Sequence, residues 1–101
     1  MAPATIAPQA KRELFAAANW ISGDSPRAAL KLTETMLGAA DALGRNPHLG
    51  REQPDVVRPP YRLFKMKGFP YVLAYDPTRN PPVIVRMLHG ARDLGDALKS
   101  L

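Results

Sequence analysis

The sequence contains no cysteine, which excludes disulfide bonds, a thiolate zinc site and a cysteine nucleophile. No apolar run approaches the roughly 20 residues that a membrane-spanning helix needs. The first residues also lack the basic stretch and the following apolar stretch of a signal peptide. Two histidines and scattered acids make no ligand cluster, so we expect no metal and no other cofactor. The absence of cysteine fits a protein of the reducing cytoplasm.

Acidic residues are fewer than basic ones. Nine Asp and Glu stand against fourteen Lys and Arg, which gives a formal net charge of +5. Between residues 56 and 92 there are seven basic residues and one acid, Asp76. A positive second half favours an acidic partner such as nucleic acid, an acidic protein or a membrane face. The length of 101 residues predicts a single domain over residues 1–101.

The first half of the chain has the apolar period of two amphipathic helices. Pro8 suits the first position of a helix over residues 8–22, and Ser25 followed by Pro26 is typical of the start of a second one. Gly44 is predicted to end the second helix as a left-handed cap. The predicted apolar stripes are Leu14, Ala18 and Ile21 in the first helix, and Ala29, Leu32, Met36, Ala39 and Leu43, widened by Leu30 and Leu37, in the second.

After a loop over residues 45–60 the apolar period changes from that of a helix to that of a strand. Strands are predicted over residues 61–66, 71–75 and 83–88, a brief strand over 3–7, and a short helix over 94–101. Short turns between the three later strands indicate an antiparallel meander. The fold class is therefore α+β in the order β-α-α-β-β-β-α, an antiparallel sheet packed against a helical hairpin with a short C-terminal helix.

Four segments carry a resemblance to a known family. They are Ser25-Pro-Arg-Ala-Ala29, Asn46-Pro-His-Leu-Gly-Arg51, Pro70-Tyr-Val-Leu-Ala-Tyr75 and Val85-Arg-Met-Leu-His-Gly-Ala-Arg-Asp-Leu94. In order and spacing they resemble the ParE-like branch (plasmid stabilisation) of the RelE/ParE toxin superfamily, and the last segment is the most specific. One departure is Ala7 before Pro8, where Ser is more usual.

The resemblance implies the toxin of a type II toxin–antitoxin module, which causes growth arrest. A cognate antitoxin would neutralise the chain in a hetero-oligomer, by means of an acidic and apolar C-terminal segment. ParE-like members are expected to inhibit DNA gyrase by binding, without catalysis. Operator DNA would be reached only through the antitoxin, and no membrane partner is implied.

RelE-like members of the same superfamily cleave messenger RNA, so an endoribonuclease is the alternative. Such chemistry needs proton transfer and cations that hold the charge of a phosphorane. His89 is the candidate for proton transfer, Arg62, Arg86 and Arg92 for the cationic clamp, and Tyr75 for assistance. His89 could equally stabilise the turn that follows its strand. A third alternative is a member that binds its antitoxin and has lost its toxicity.

Antitoxin contact is predicted for a mixed set of apolar and basic residues: Leu14, Phe15, Trp20, Arg62, Phe64, Arg86 and Leu88. Strand alternation predicts that Arg86 lies on the face opposite Val85 and Met87, and that Arg62 projects in the same way. Their guanidinium groups could bind phosphate, bind acids of the antitoxin, or face solvent. Trp20 lies off the apolar stripe of its helix. It is either an interface anchor or folded over the hairpin turn.

Overall fold

The computed structural model describes residues 2–90 and 94–101, and it confirms the predicted α+β fold. The elements follow the predicted order: β1 Thr5–Ile6, α1 Pro8–Ser22, α2 Pro26–Arg45, β2 Arg62–Lys65, β3 Tyr71–Asp76, β4 Val83–His89 and α3 Leu94–Leu98. Neither long helix is apolar enough over its length to cross a bilayer, and the same holds for every helix in the described ranges.

Local signals account for the starts of the two long helices. Ser25 is the N-cap of α2, and its hydroxyl accepts a hydrogen bond of 3.1 Å from the Ala28 N–H. Ala7 is the N-cap of α1 and offers no side-chain acceptor. The local signal for the start of α1 is therefore Pro8 by itself, which has no N–H that would need a partner. The intervening turn of residues 23–25 places α1 and α2 side by side.

The sheet has the strand order β1-β4-β3-β2. Strands β2, β3 and β4 form the predicted antiparallel meander. Strand β1 lies parallel to β4 and pairs only with its first two residues, Val83 and Ile84. The remainder of β4 therefore has a strand on one side only among the described residues.

Both faces of the sheet carry a buried cluster. On one face Leu73, Tyr75 and Met87 pack with Leu32 and Met36 of α2. On the other face Leu63, Ala74 and Leu88 pack with Val57 and with Leu98 of α3. The helical hairpin thus covers one face and the C-terminal helix covers part of the other.

A β-bulge at Val85 changes which residues of β4 share a face. Ala74 is opposite Arg86 while Tyr75 is opposite Ile84, so Val85 has no direct partner in β3. Val85 packs in the same cluster as Leu88, whereas Met87 packs under the helices. The prediction that Val85 and Met87 share a face is therefore wrong, because the extra residue breaks the alternation.

Two further expectations for α2 need correction. Gly44 does not end the helix, since α2 continues to Arg45 and no left-handed backbone is found at Gly44. Its lack of a side chain serves close packing instead, because a Cβ there would lie 2.2 Å from the Ala2 carbonyl oxygen. Leu30 and Leu37 do not widen the buried stripe; both are exposed.

Candidate functional site

A groove of about 450 Å³ lies between α1 and the C-terminal half of β4. Its helical wall consists of Glu13, Ala16, Ala17 and Trp20, residues whose spacing places them on one face of a helix. Its strand wall consists of Tyr71, Met87, Leu88 and His89. The two alanines leave the space open, because larger side chains at their positions would close the gap between helix and strand.

Glu13 occupies the edge of β4 inside this groove. Its Oε1 accepts a hydrogen bond of 2.9 Å from the main-chain N–H of Met87. An edge strand normally directs such groups at solvent or at another strand. Here a side-chain carboxylate from α1 satisfies the amide, at a point that β1 does not reach.

Arg86 holds the other oxygen of the same carboxylate. Its Nη2 and Nε donate to Oε2 of Glu13 at 2.7 and 3.0 Å, and its Nη1 donates to the Ala97 carbonyl of α3 at 3.2 Å. Both side chains of the ion pair are largely buried. The ion pair therefore connects α1, β4 and α3. Because the charge of Arg86 balances that of Glu13, the pair adds no net charge to the groove.

Trp20 stands at the rim of the groove and is 83% exposed. This exposure rules out the interpretation in which it folds over the hairpin turn. Phe15, on another side of α1, is 63% exposed. Large exposed aromatic residues of this kind are common anchors of protein interfaces.

A separate cluster surrounds the buried side chain of Tyr75. Its hydroxyl donates to the Pro47 carbonyl at 2.7 Å and accepts from the Gly50 N–H at 2.8 Å. Arg62 donates to the Gly50 carbonyl at 2.9 Å and pairs with Glu52 at 3.3 Å. Burial raises the pKa of Tyr75, while the hydrogen bond from Gly50 and the charge of Arg62 act against that rise. The cluster fixes residues 47–52 against the sheet.

The candidate nuclease residues are dispersed over the structure. Arg62 is opposite Tyr75 and donates to the Gly50 carbonyl, whereas Arg86 is opposite Ala74 and donates to the Ala97 carbonyl of α3. Because Tyr75 and Ala74 belong to clusters on different faces of the sheet, the expectation that both arginines project alike is wrong. Tyr75 is fully buried. The ring of His89 lies edge-on to that of Tyr71, with centroids 5.9 Å apart. Arg92 lies outside the described residues.

The predicted antitoxin-binding residues include both exposed and buried side chains. Phe15 and Trp20 are exposed, while Leu14 and Leu88 are buried in the two clusters, and Leu88 also lines the groove. Phe64 is half-buried against the core, and Arg62 and Arg86 are engaged within the chain.

Sequence reasoning missed Glu13, Ala16 and Ala17. The available signal was an acid followed by two small residues on one side of the apolar stripe of α1. Among the described residues, no group of three potential ligands could hold a metal ion.

Comparison with known proteins finds a matching family and similar solved structures. The sequence profile of a family described as "ParE toxin of type II toxin-antitoxin system, parDE" matches residues 4–94. A solved chain of the "Chromosomal ParDE TA system from P. aeruginosa" has a similar fold, with a TM-score of 0.71 and 19% sequence identity. That likeness covers 88% of this chain and 96% of the other, and at this identity it concerns the fold. No curated protein sequence matches the chain.

Proposed function

Because the chain belongs to the ParE toxin family of type II toxin–antitoxin systems, we propose that it inhibits DNA gyrase by binding when it is not neutralised by an antitoxin. In this proposal the chain acts in the cytoplasm, arrests growth and stabilises the genetic element that encodes it. It assembles with its antitoxin into a hetero-oligomer, and operator DNA is contacted by the antitoxin alone.

One observation supports binding over catalysis. Arg86 is a candidate for a phosphate clamp, yet it directs its guanidinium donors at Glu13 and at the Ala97 carbonyl. A guanidinium bound in this way is a structural tie between elements and is not preorganised for a developing phosphorane charge. The burial of Tyr75 adds to this argument.

A pulse induction of the chain in a bacterial host tests the proposal. Growth, DNA supercoiling and transcript integrity are measured together, for the parent chain and for His89→Ala, with the exposed loop residue His48→Ala as the control. We expect arrest with altered supercoiling and intact transcripts. His89→Ala should not produce a change in transcript integrity.

Two results would contradict the proposal. Cleaved transcripts that become intact in His89→Ala, but not in His48→Ala, would establish the endoribonuclease alternative. No arrest at all, with the chain folded and abundant, would indicate a member that has lost its toxicity. Co-expression of the protein encoded by the adjacent reading frame tests neutralisation separately, because it should restore growth.

A further inference from the structure

We propose that the loop of residues 46–52 is the surface through which the chain contacts DNA gyrase, with Leu49 entering an apolar site on the enzyme and Arg51 facing an acidic one. The inference rests on the proposed function, since it names the part of the chain that meets the proposed target. The loop runs along the β2 edge of the sheet, where Arg51 bridges to Leu63. The α1–β4 groove is lined by β4, two strands away in the order β4-β3-β2.

The sheet holds the main chain of this loop from its inner side, although residues 47–50 have no regular secondary structure. The Tyr75 hydroxyl donates to the Pro47 carbonyl at 2.7 Å and accepts from the Gly50 N–H at 2.8 Å. Arg62 donates to the Gly50 carbonyl at 2.9 Å. These two side chains come from β3 and β2, so the loop is attached to the most regular part of the molecule.

Further hydrogen bonds close both ends of the loop. At its start the Asn46 carbonyl accepts from the Leu49 N–H at 3.0 Å, and the Asn46 side-chain oxygen accepts from the His48 N–H at 3.2 Å. At its end Arg51 and Leu63 exchange two main-chain hydrogen bonds, of 2.8 and 2.9 Å. Every main-chain N–H from His48 to Arg51 therefore has an acceptor within the chain, and the loop needs no partner to hold its conformation.

Gly50 brings the loop into direct contact with the ring of Tyr75. A Cβ at this position would lie 2.6 Å from Tyr75 Cε1 and 2.7 Å from the Leu63 carbonyl oxygen. The residues on either side of Gly50 are exposed. Binding residues are commonly found on loops that a rigid scaffold positions, and a loop that is already fixed loses little conformational freedom when a partner binds.

The outer side of the loop combines an apolar side chain with a positive charge. Leu49 is 44% exposed, and Arg51, two residues further on, is exposed as well. The Arg51 side chain makes no hydrogen bond or ion pair with the residues that the structure describes. The acid of the loop, Glu52, is paired with Arg62 at 3.3 Å. The loop therefore offers a partner one apolar contact and one unpaired cation.

This combination fits a protein surface better than a nucleic acid. Contacts to the DNA backbone come from cationic and polar groups, and a leucine at the centre of the loop adds nothing to them. A protein interface, by contrast, has an apolar core within a polar rim. The positive charge of Arg51 favours acidic groups in that rim. The loop is therefore matched to the gyrase polypeptide and not to the DNA that gyrase holds.

Inhibition of supercoiling by purified gyrase holoenzyme, measured together with the affinity of the chain for the enzyme, tests the inference. Leu49→Ser removes the apolar contact, and Leu30→Ser is the matched control, because Leu30 is an exposed leucine of α2 outside the loop. Leu49→Ser should raise both the Kd and the concentration for half-inhibition by roughly tenfold or more, and Leu30→Ser by less than about threefold. Circular dichroism checks that both variants are folded.

A second pair of variants and a cross-link test the charge and the proximity. Arg51→Gln should weaken binding to gyrase several-fold, whereas Arg27→Gln, which removes an exposed charge from α2, should change it much less. A photoreactive benzophenone side chain at position 49 should cross-link to a gyrase polypeptide in the complex. The same group at position 30 should not.

The results that overturn the inference differ from those that overturn the proposed function. If the parent chain inhibits gyrase and Leu49→Ser inhibits as well as Leu30→Ser, the loop is not the contact surface, although the proposed function stands. Binding to duplex DNA without gyrase, weakened by Arg51→Gln but not by Leu49→Ser, would make the loop a nucleic-acid surface and would also overturn the inference. If the parent chain neither binds nor inhibits gyrase, the proposed function fails and this inference fails with it.

Discussion

The Tyr75 hydroxyl accepts a hydrogen bond of 2.8 Å from the Gly50 N–H, across twenty-five residues of sequence. The same hydroxyl donates to the Pro47 carbonyl at 2.7 Å. One phenol of the central strand β3 thus holds both ends of the segment 47–50, which has no regular secondary structure of its own. The hydroxyl uses both its donor and its acceptor capacity within the chain. Its hydrogen bonds therefore serve the structure.

Replacement of this hydroxyl should destabilise the fold. In Tyr75→Phe the buried Gly50 N–H loses its partner, and we expect the free energy of unfolding to fall by about 1–3 kcal/mol. Urea denaturation followed by circular dichroism measures the change. Tyr61→Phe is the control, because Tyr61 is half-buried at the surface and its hydroxyl makes no hydrogen bond within the described residues; it should change the free energy of unfolding much less. Equal stabilities of the two variants would contradict this role of Tyr75.

The pKa of Tyr75 predicts a loss of stability at alkaline pH. Burial, the largest effect, raises it above the ordinary value of 10.0, against the opposing effects of Gly50 and Arg62. Below pH 10 the protonated phenol is present in both states and its full contribution remains. As the pH rises through the folded pKa, the unfolded state has already released the proton, so the free energy of unfolding decreases.

Comparison with Tyr75→Phe isolates this effect from the titration of other groups. Urea denaturation between about pH 9 and pH 11 should show the difference in stability between parent and variant becoming smaller as the pH rises. Tyr61→Phe should retain the decrease seen in the parent chain. A difference between parent and Tyr75→Phe that stays constant over this range would refute the prediction.

Two glycines of α2 should respond oppositely to the same substitution. In Gly44→Ala the new Cβ would lie 2.2 Å from the Ala2 carbonyl oxygen and 2.7 Å from Pro3 Cα, and these are backbone atoms that can move only with the segment. We expect a loss of about 1–3 kcal/mol. Gly38→Ala meets nothing within 4 Å and should stabilise the helix by about 0.5–1 kcal/mol. Thermal unfolding of both variants measures the two effects. A stabilised Gly44→Ala would show that the N-terminal segment is not packed against Gly44.

Much of the fold was predictable because its determinants are local. Pro8, Ser25 and Pro26 mark the helix starts, and the change of apolar period marks the strands. The bulge at Val85 was not predictable in this way, since it arises from the pairing of β4 with β3. The exposure of Leu30 and Leu37 likewise depends on where α1 and the sheet lie, and periodicity alone does not determine that.

The candidate site could be predicted less well from the sequence, because it too depends on how the elements pack together. Trp20 was identified because an aromatic residue off the stripe is conspicuous in the sequence. The role of Glu13 follows only from the packing of α1 on β4, which brings it to Met87, 74 residues away. Arg86 was a candidate for phosphate or antitoxin contact, but the partners that the structure gives it lie within the chain, in α1 and α3.

Removal of Arg86 should therefore act on stability. In Arg86→Ala the Glu13 carboxylate loses two charged hydrogen bonds in a largely buried place, and we expect a loss of about 1.5–3 kcal/mol. Arg45→Ala is the control, because its ion pair with Asp41 is exposed and should change stability by no more than about 0.5 kcal/mol. Urea denaturation measures both. If Arg86→Ala abolished toxicity while unfolding like the parent chain, Arg86 would instead have to contact the target.

The net charge of +5 predicts that salt slows the encounter with an acidic antitoxin. Charges act at long range on the association rate, whereas short-range contacts in the complex determine how long it lasts. Stopped-flow measurement should therefore show an association rate that falls several-fold between low salt and about 0.5 M, where screening is nearly complete. The dissociation rate should change little.

The double variant Lys65→Gln/Lys67→Gln tests whether the second half of the chain is the source of this steering. Both lysines are exposed, and their replacement lowers the net charge from +5 to +3, that is, 5 minus 2. The association rate at low salt should fall, and its salt dependence should become shallower, while the folded state is unaffected. Arg27→Gln/Lys31→Gln is the matched control, since it removes two exposed charges from the helical half. Equal effects of the two double variants would mean that total charge steers the partner, and an association rate independent of salt would mean that charge does not steer it at all.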